Sequence, residues 1–442
     1  MPRFSHLTLG DTVKLLLRVT LLFSAPLLFG SGHCMSAKER SKVFDQVWRL
    51  VGEKYYDPNF NGVNWSAIRD QYRPRAQSAK CDDELYAVLK EMSGSLHDAH
   101  TRFRSPAERE RARRLQATTP GLSINEVDGR PVIVNVEAHS EASRAGLEAG
   151  MVITSVDGTA FVKRVSEVGE EVGDSSSARA RLLLTYYEVL AGEPGTKVRL
   201  GVERQDGSTL EVELPRHTVP IAPPLASRVL PSGYGYIKVD MFRDAVAKQF
   251  REELAKFRST PGLIIDVRGN PGGDFDGVLG IANNFFAQKV SFGRIIARSG
   301  KAPSLMLRIL GVPSELAAGD SSGSVYTGPV IILVNEASGS AAEIFAAGMQ
   351  ENHRAAIVGR QTCGCVLASV AHSVKGGGEV DISEFGIVTA SGRRLEGVGV
   401  IPDVTVPLKL EDLRQHHDAA LREAVAVLNS SNRVASQAET QR

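Results

Sequence analysis

Several things are scarce in this chain, and each scarcity excludes something. Cysteine occurs four times in 442 residues, and two of the four stand one residue apart in Gln361-Thr362-Cys363-Gly364-Cys365-Val366. A structural zinc site draws closely spaced cysteine pairs from two places, and no second pair exists. Net charge is nearly absent: 52 Lys+Arg against 51 Asp+Glu leave a formal +1, with no basic block or stripe to follow a phosphate backbone. Nucleic acid is therefore not an expected partner. Beyond residue 29 no apolar run reaches the length needed to span a bilayer, so no membrane span is expected in the mature chain.

At this length, and with 42% hydrophobic residues, the chain can bury the cores of two or three domains. Its 42 glycines lie between apolar runs and so read as tight turns rather than disorder. The N-terminus carries Arg3, Lys14 and Arg18, then the apolar stretch Val19–Phe29, then Gly-Ser-Gly. That is the pattern of a secretory signal, assigned to residues 1–32, and it places the protein outside the cytoplasm, periplasmic or extracellular. An uncleaved anchor, or a lipid on Cys34, are the alternatives. Export also allows oxidised cysteines.

Three patterns follow one another along the chain. Residues 36–117 read as a helical domain: Val43, Val47, Leu50 and Val51 share one face, as do Leu85, Val88, Leu89 and Met92, with Asp82 or Asp83 placed to cap the second helix. Residues 118–217 turn to short strands, with a hairpin signal at Asp206-Gly207 and a second turn at Asp157-Gly158. From 218 to 428 strands alternate with helices, which implies an α/β core. The polar stretch 429–442 reads as a disordered tail. The fold class expected is multidomain α+β.

The chemistry sits in two places. "VIILVNEASGSAAEIFAAG" is a buried strand, a tight Ser/Gly turn and a helix, a geometry that can expose a serine at a helix N-terminus. A plain capping serine gives the same pattern. "IIDVRGNPGGDFDG" ends a strand in Asp266 and reaches the pair Gly272-Gly273, where backbone can approach a ligand or simply turn.

The middle segment resembles a PDZ domain, through "GLSI" (Gly121–Ile124), "SRAGLEAGMVITSVDG" (Ser143–Gly158) and its closing strands. The resemblance implies that Gly121, Leu122, Ser123 and Ile124 hold a peptide's terminal carboxylate while the peptide adds to a sheet edge. The order helical region, PDZ, "DVRGNPGG", "NEASGSAAEIFAAGMQENHRAAIVG" resembles the C-terminal processing peptidases of serine peptidase family S41, from about residue 40 to 408, including "LHDAHTRF" and "EGVGVIPDV". It implies a core of the ClpP/crotonase-like type, Ser340 as nucleophile, and an oxyanion hole from the N–H groups of Ala341 and Gly272. Members with a Ser–Lys dyad carry the lysine in a "GKG" element after a threonine; aligned through "VGRQTCGCV", its place falls on Cys365. Lys375 is ten residues further on and does not match. A branch resembling tricorn protease and the retinoid-binding-protein-like peptidases instead uses a histidine and a glutamate, matched here by His100 and Glu396.

The resemblance thus implies a serine endopeptidase acting on protein or peptide substrates, recognised by their C-terminal region, without metal or organic cofactor. The missing lysine supports the alternative of an inactive peptide-binding scaffold. Asp266 and Arg268 are expected to brace a strand end, His97 to be solvated, and Cys363 and Cys365 to pack as small apolar residues, with an oxidative switch involving Cys81 as the alternative.

Overall fold

The computed structural model describes residues 34–440, apart from 173–174, 222–224, 299, 304–312 and 321–324. The expected leader, residues 1–32, lies outside the described residues. No helix among them is long and apolar enough to cross a membrane.

Helix α1 (Ala37–Lys54) begins at a capping box, in which Ser36 Oγ accepts the Glu39 N–H and the Glu39 carboxylate accepts the Ser36 N–H. Its buried face is Val43, Phe44, Val47 and Val51, the helical repeat legible in sequence. Against it pack α2 (Trp65–Ser78) and α3 (Asp82–Gly94). The indoles of Trp48 and Trp65 each donate to the other's backbone carbonyl, at 2.9 and 3.0 Å, so both rings are core with satisfied N–H groups. Neither aspartate caps α3: its N-cap is Cys81, and Asp82 accepts the Met35 N–H instead. The domain is not wholly helical either. After Gly94 the chain turns through His97, at φ 55°, and enters strand β1 (Arg102–Arg104). His97 and His100 therefore share no helix face.

After α4 (Pro106–Arg113), strand β2 (Gln116–Thr119) leads into a β-rich body: β3 (Leu122–Val127), β4 (Arg130–Val136), α5 (Glu141–Arg144), β5 (Val152–Val156), β6 (Thr159–Ala160), α6 (Phe161–Val172), α7 (Ala178–Leu190), β7 (Lys197–Glu203) and β8 (Thr209–Pro215). The sheet order is β3-β4-β5-β7-β8, with β6 on β5. Asp206 shapes the β7–β8 turn by accepting the Ser208 N–H at 2.9 Å. Strand β9 (His217–Pro220) returns to pair antiparallel with β2, so entry and exit form one two-stranded neck.

The remaining elements are β10 (Ala226–Val229), β11 (Gly235–Lys238), α8 (Asp244–Ala255), β12 (Leu263–Asp266), α9 (Phe275–Ala282), β13 (Val290–Ile296), β14 (Glu315–Ala318), β15 (Val330–Val334), α10 (Ala341–Glu351), β16 (Ala356–Gly359), β17 (Ala368–Ser373), β18 (Glu379–Val388), β19 (Val404–Thr405), α11 (Leu410–Arg414) and α12 (Ala419–Thr440). Strands β11, β12, β15, β16 and β19 are consecutive parallel neighbours, with β10 antiparallel at the edge. Alternate residues serve opposite faces. Leu263, Ile265, Val330, Ile332 and Val334 join the layer of α8, α9 and α10, while Ile264, Ile331, Leu333 and Val358 meet α12. Burial on both faces is why these strands read as unbroken apolar runs.

Helix α12 corrects the expected tail: the chain stays helical to Thr440. Leu428 is buried under the sheet, Tyr234 Oη donates to Asn429 Oδ1 at 2.8 Å, and Asn432 reaches the Pro261 carbonyl. Tertiary anchors supply what the polar sequence lacks in periodicity. A second sheet, β1-β18-β13-β14 with β17 on β18, ties the N-terminal helices to the core. Through it β1 reaches strand Glu379–Val388, nearly 280 residues away, as in the pair Arg102↔Asp381.

Candidate active site

Three sequence motifs leave the carboxyl ends of three adjacent parallel strands, where open α/β sheets place their ligands. "VRGNPGG" follows β12, "NEASGS" follows β15, and "RQTCGC" follows β16. Backbone bonds knit them together: Gly339 N–H donates to Asn270 O, Cys363 N–H to Ser338 O, and Arg360 N–H to Val334 O. The buried Asn270 side chain fixes the first loop, donating to Val239 O and accepting the Gly272 N–H at 2.8 Å.

The two serines of Ser-Gly-Ser separate cleanly. Ser338 is fully buried, its hydroxyl donating to Val267 O at 2.8 Å and accepting the Asn335 N–H at 3.0 Å. Ser340 stands at the start of α10 with φ 53° and ψ −118°, and shares a capping box with Glu343. A non-glycine residue in that region costs about 1–3 kcal/mol and persists only where neighbours enforce it. Here the enforcing bonds run from its N–H to Cys365 O at 2.9 Å and to Glu343 Oε2 at 3.1 Å. The serine thus sits in a strained turn at a helix N-terminus, capped together with Glu343.

Glu343 organises that turn. Its fully buried carboxylate accepts from Thr362 Oγ1, Gly364 N–H, Cys365 N–H and Ser340 N–H. Burial pushes its pKa up, while these four donors oppose the rise. The sequence reading left Glu343 without a role, although serine followed three residues later by glutamate is a legible capping signal.

The glycine pair lies against the serine. A Cβ on Gly272 (φ 115°) would sit 2.7 Å from Ser340 Cβ and 3.0 Å from Ala341 N; one on Gly273 would overlap the Phe242 carbonyl. Only glycine fits. The Ala341 N–H makes no hydrogen bond among the described residues, as an oxyanion donor requires. The Gly272 N–H, however, is taken by Asn270, and that of Gly273 is the unengaged one.

Cys363 and Cys365 are bonded to each other as a disulfide, rather than packed as separate apolar residues, and Cys81 is a free cysteine outside the pair. Beside them Glu396 accepts the Val366 N–H at 2.5 Å and the Ser176 hydroxyl. Burial is the main cause that lifts its pKa to about 7. His100 lies in the turn before β1, where Asp98 Oδ1 accepts the N–H groups of His100 and Thr101, both at 2.7 Å, and the Ser383 hydroxyl at 3.0 Å. Burial pushes the His100 pKa down to about 4, and its buried Nδ1 has no partner among the described residues. Among the described residues no hydrogen bond joins His100 to Ser340 or to Glu396. A cavity of about 450 Å³ is walled by Glu396, Leu367 and Tyr56, whose N–H donates to Ser383 O. Lys375 sits in the β17–β18 turn, where its N–H donates to Gln46 of α1.

A larger cavity, about 950 Å³, runs from Leu122–Asn125 and the Tyr186–Tyr187 side of α7 to the strand ends at Arg268 and Asn335–Ala337. Arg268 braces the strand end as expected, pairing with Asp266 and Asp418, but it also lines this cavity. Gly121 (φ 88°) lies just outside the lining, packed on Ser140.

The description "Peptidase family S41" matches residues 233–406, and "Tricorn protease C1 domain" matches residues 36–94. A carboxyl-terminal-processing protease of Synechocystis sp. is 27% identical, over 88% of this chain and 86% of its own length. The chloroplastic C-terminal processing peptidase of Tetradesmus obliquus is 28% identical, over 82% and 76%. Among solved structures, a photosystem II D1 C-terminal processing protease superposes with a TM-score of 0.58 at 24% identity, covering 88% of this chain and 97% of that one. Mature CPAF superposes with 0.63 at 15% identity, covering 86% and 94%. Fold, family matches and relatives agree: residues 233–406 carry the features of peptidase family S41, and the protein is a serine-type peptidase.

Proposed function

We propose that the protein is an exported endopeptidase that takes polypeptides by their C-terminal region and cleaves them with Ser340. The observation that carries this reading is the strained Ser340 turn: a serine at φ 53° at a helix N-terminus, beside an Ala341 N–H that is unengaged among the described residues. Ser340 Oγ attacks the scissile carbonyl, and the developing oxyanion is met by the Ala341 N–H and one from the glycine pair. Gly273 offers its N–H directly; Gly272 serves only if Asn270 releases it.

His100 is assigned as the base. At neutral pH its imidazole is unprotonated, and a buried Nδ1 with no partner among the described residues calls for one. A base with pKa near 4 is weak, so the working state pairs it with a carboxylate, which raises its affinity for the proton. Glu396 is that carboxylate.

The β-rich body is read as a PDZ domain. Its strand β3 and helix α7 flank one end of the large cavity, and a peptide added along β3, with its terminal carboxylate at Gly121–Ile124, leads toward the strand ends. The N-terminus of α7 touches the site itself: the Ser177 hydroxyl donates to Cys363 O, and Arg179 donates to Thr362 O.

Labelling by a fluorophosphonate, a reagent for activated serines, tests the assignment on wild type, Ser340→Ala and His100→Ala. Label on wild type that is lost in both variants is the expected result. Label surviving in His100→Ala removes His100 as base. No label on wild type favours a peptide-binding scaffold.

A further inference from the structure

We propose that the Cys363–Cys365 disulfide is a thiol–disulfide exchange site, reduced by dithiols, whose oxidised form sets the backbone of the nucleophile turn. The inference rests on reading Ser340 as the nucleophile.

The disulfide closes a ring over a single residue, Gly364, which adopts φ 77°. All six backbone polar groups of this tripeptide are spent on the site. Cys363 N–H donates to Ser338 O, and Cys363 O accepts from Ser177 Oγ. Gly364 N–H donates to Glu343 Oε1, and Gly364 O accepts the Gly397 N–H. Cys365 N–H donates to Glu343 Oε2, and Cys365 O accepts the Ser340 N–H. Any change in the dihedrals of these three residues therefore reaches Ser340 through one bond directly and through two more by way of Glu343.

The sulfurs differ in access. Cys363 is half-buried, whereas Cys365 is 5% exposed. An incoming thiolate meets Cys363 Sγ, and a new S–S bond forms there. The Cys363–Cys365 bond breaks, its electron pair leaving on Cys365 Sγ, which takes a proton from water. The reagent's second thiol, as thiolate, then attacks its own sulfur in the mixed disulfide, and Cys363 leaves and is protonated. Two electrons and two protons pass from the dithiol to the protein. The sulfurs and the Glu343 carboxylate lie within 4.8 Å of one another, so a buried carboxylate opposes ionisation of the released thiols. A neutral thiol is no substitute for a lysine base, and the Glu343 oxygens, already accepting four hydrogen bonds, have no free site for a metal. What reduction changes is geometry.

The test uses the full chain, oxidised or reduced with dithiothreitol, with thiols counted by mass after alkylation. Three readouts follow: the fluorophosphonate labelling rate at Ser340, amide hydrogen exchange over residues 336–345, and the thermal melt. Reduction is expected to slow labelling roughly ten- to a hundredfold, as small displacements of reacting groups do. It should also speed exchange in that segment, leave a cooperative melt, and be reversed on reoxidation. Cys363→Ser and the double Cys363→Ser/Cys365→Ser variant should match the reduced rate and ignore dithiothreitol; Cys34→Ser/Cys81→Ser should respond as wild type. Unchanged labelling and exchange with the pair shown to be reduced overturns the proposal. So does loss of the cooperative melt, which makes the bond a structural staple. If the oxidised protein is not labelled at all, the nucleophile reading fails by itself, and hydrogen exchange still decides this one.

Discussion

Replacing Glu343 by glutamine tests whether this carboxylate builds the Ser340 turn. The carboxylate accepts Thr362 Oγ1 and Gly364 N–H on one oxygen, and Ser340 N–H and Cys365 N–H on the other. An amide has one oxygen and one NH₂ group, so one pair keeps its acceptor while the other meets donors. Two hydrogen bonds to a charged acceptor are lost, each worth about 1.5–3 kcal/mol, and the orphaned buried groups are either the Ser340 and Cys365 N–H or the Gly364 N–H alone, since the Thr362 hydroxyl can accept from the amide. Relief from burying a charge, the cause that raises the pKa of Glu343, offsets part of this. A net loss of about 3 kcal/mol is expected, read as a lower urea midpoint at unchanged m-value. If the amide nitrogen faces Ser340, the strained serine loses one of its two holds, and fluorophosphonate labelling should fall at least tenfold. The Glu343→Asp variant keeps the charge but shortens the reach, and should be intermediate in stability. A Glu343→Gln protein with wild-type midpoint and labelling rate would refute this account of the turn.

Four further outcomes follow. Gly272→Ala sets a methyl 2.7 Å from Ser340 Cβ at a φ of 115°, and should abolish labelling; retained labelling would remove the glycine pair from the site. Ser338→Ala removes two buried hydrogen bonds and should lower stability by about 1–3 kcal/mol while the folded fraction stays labelled, whereas loss of label from folded protein would shift the nucleophile. Glu396, with a pKa of about 7, should give peptide hydrolysis an ascending limb near neutrality if its carboxylate works with His100. Ser176→Ala removes a bond that favours the charged form, so the midpoint should move to higher pH, and a midpoint that stays put argues against the role. The same group sets a stability trend: its folded pKa lies above the usual 4.5, so its contribution is present below pH 4.5 and declines by about 3 kcal/mol as pH rises through 7. Glu396→Gln should flatten that decline in urea midpoints between pH 5 and 8.

Much of the fold follows from local pattern. Helical spacing in α1 and α3, apolar runs at β12 and β15, and the Asp-Gly turns each register a single element burying one side or both, which a linear chain displays directly. The Ser340 and Gly272–Gly273 motifs are legible for a related reason: strained turns need particular residues at fixed offsets. Long-range partners decided the rest. The hydroxyls of Ser338 and Ser340 look alike in sequence, and only Val267 O, from another strand, consumes one of them. Glu343 becomes an organiser because three residues from the loop after β16 converge on it. The residues 429–440 are helical because Tyr234 and Pro261 hold them, not because their own pattern demands it. Sequence by itself determined the elements and the strained turn at Ser340. Tertiary structure decided which polar groups are spent and which are left free for chemistry, because a hydrogen-bond partner on a distant element leaves no trace in local spacing.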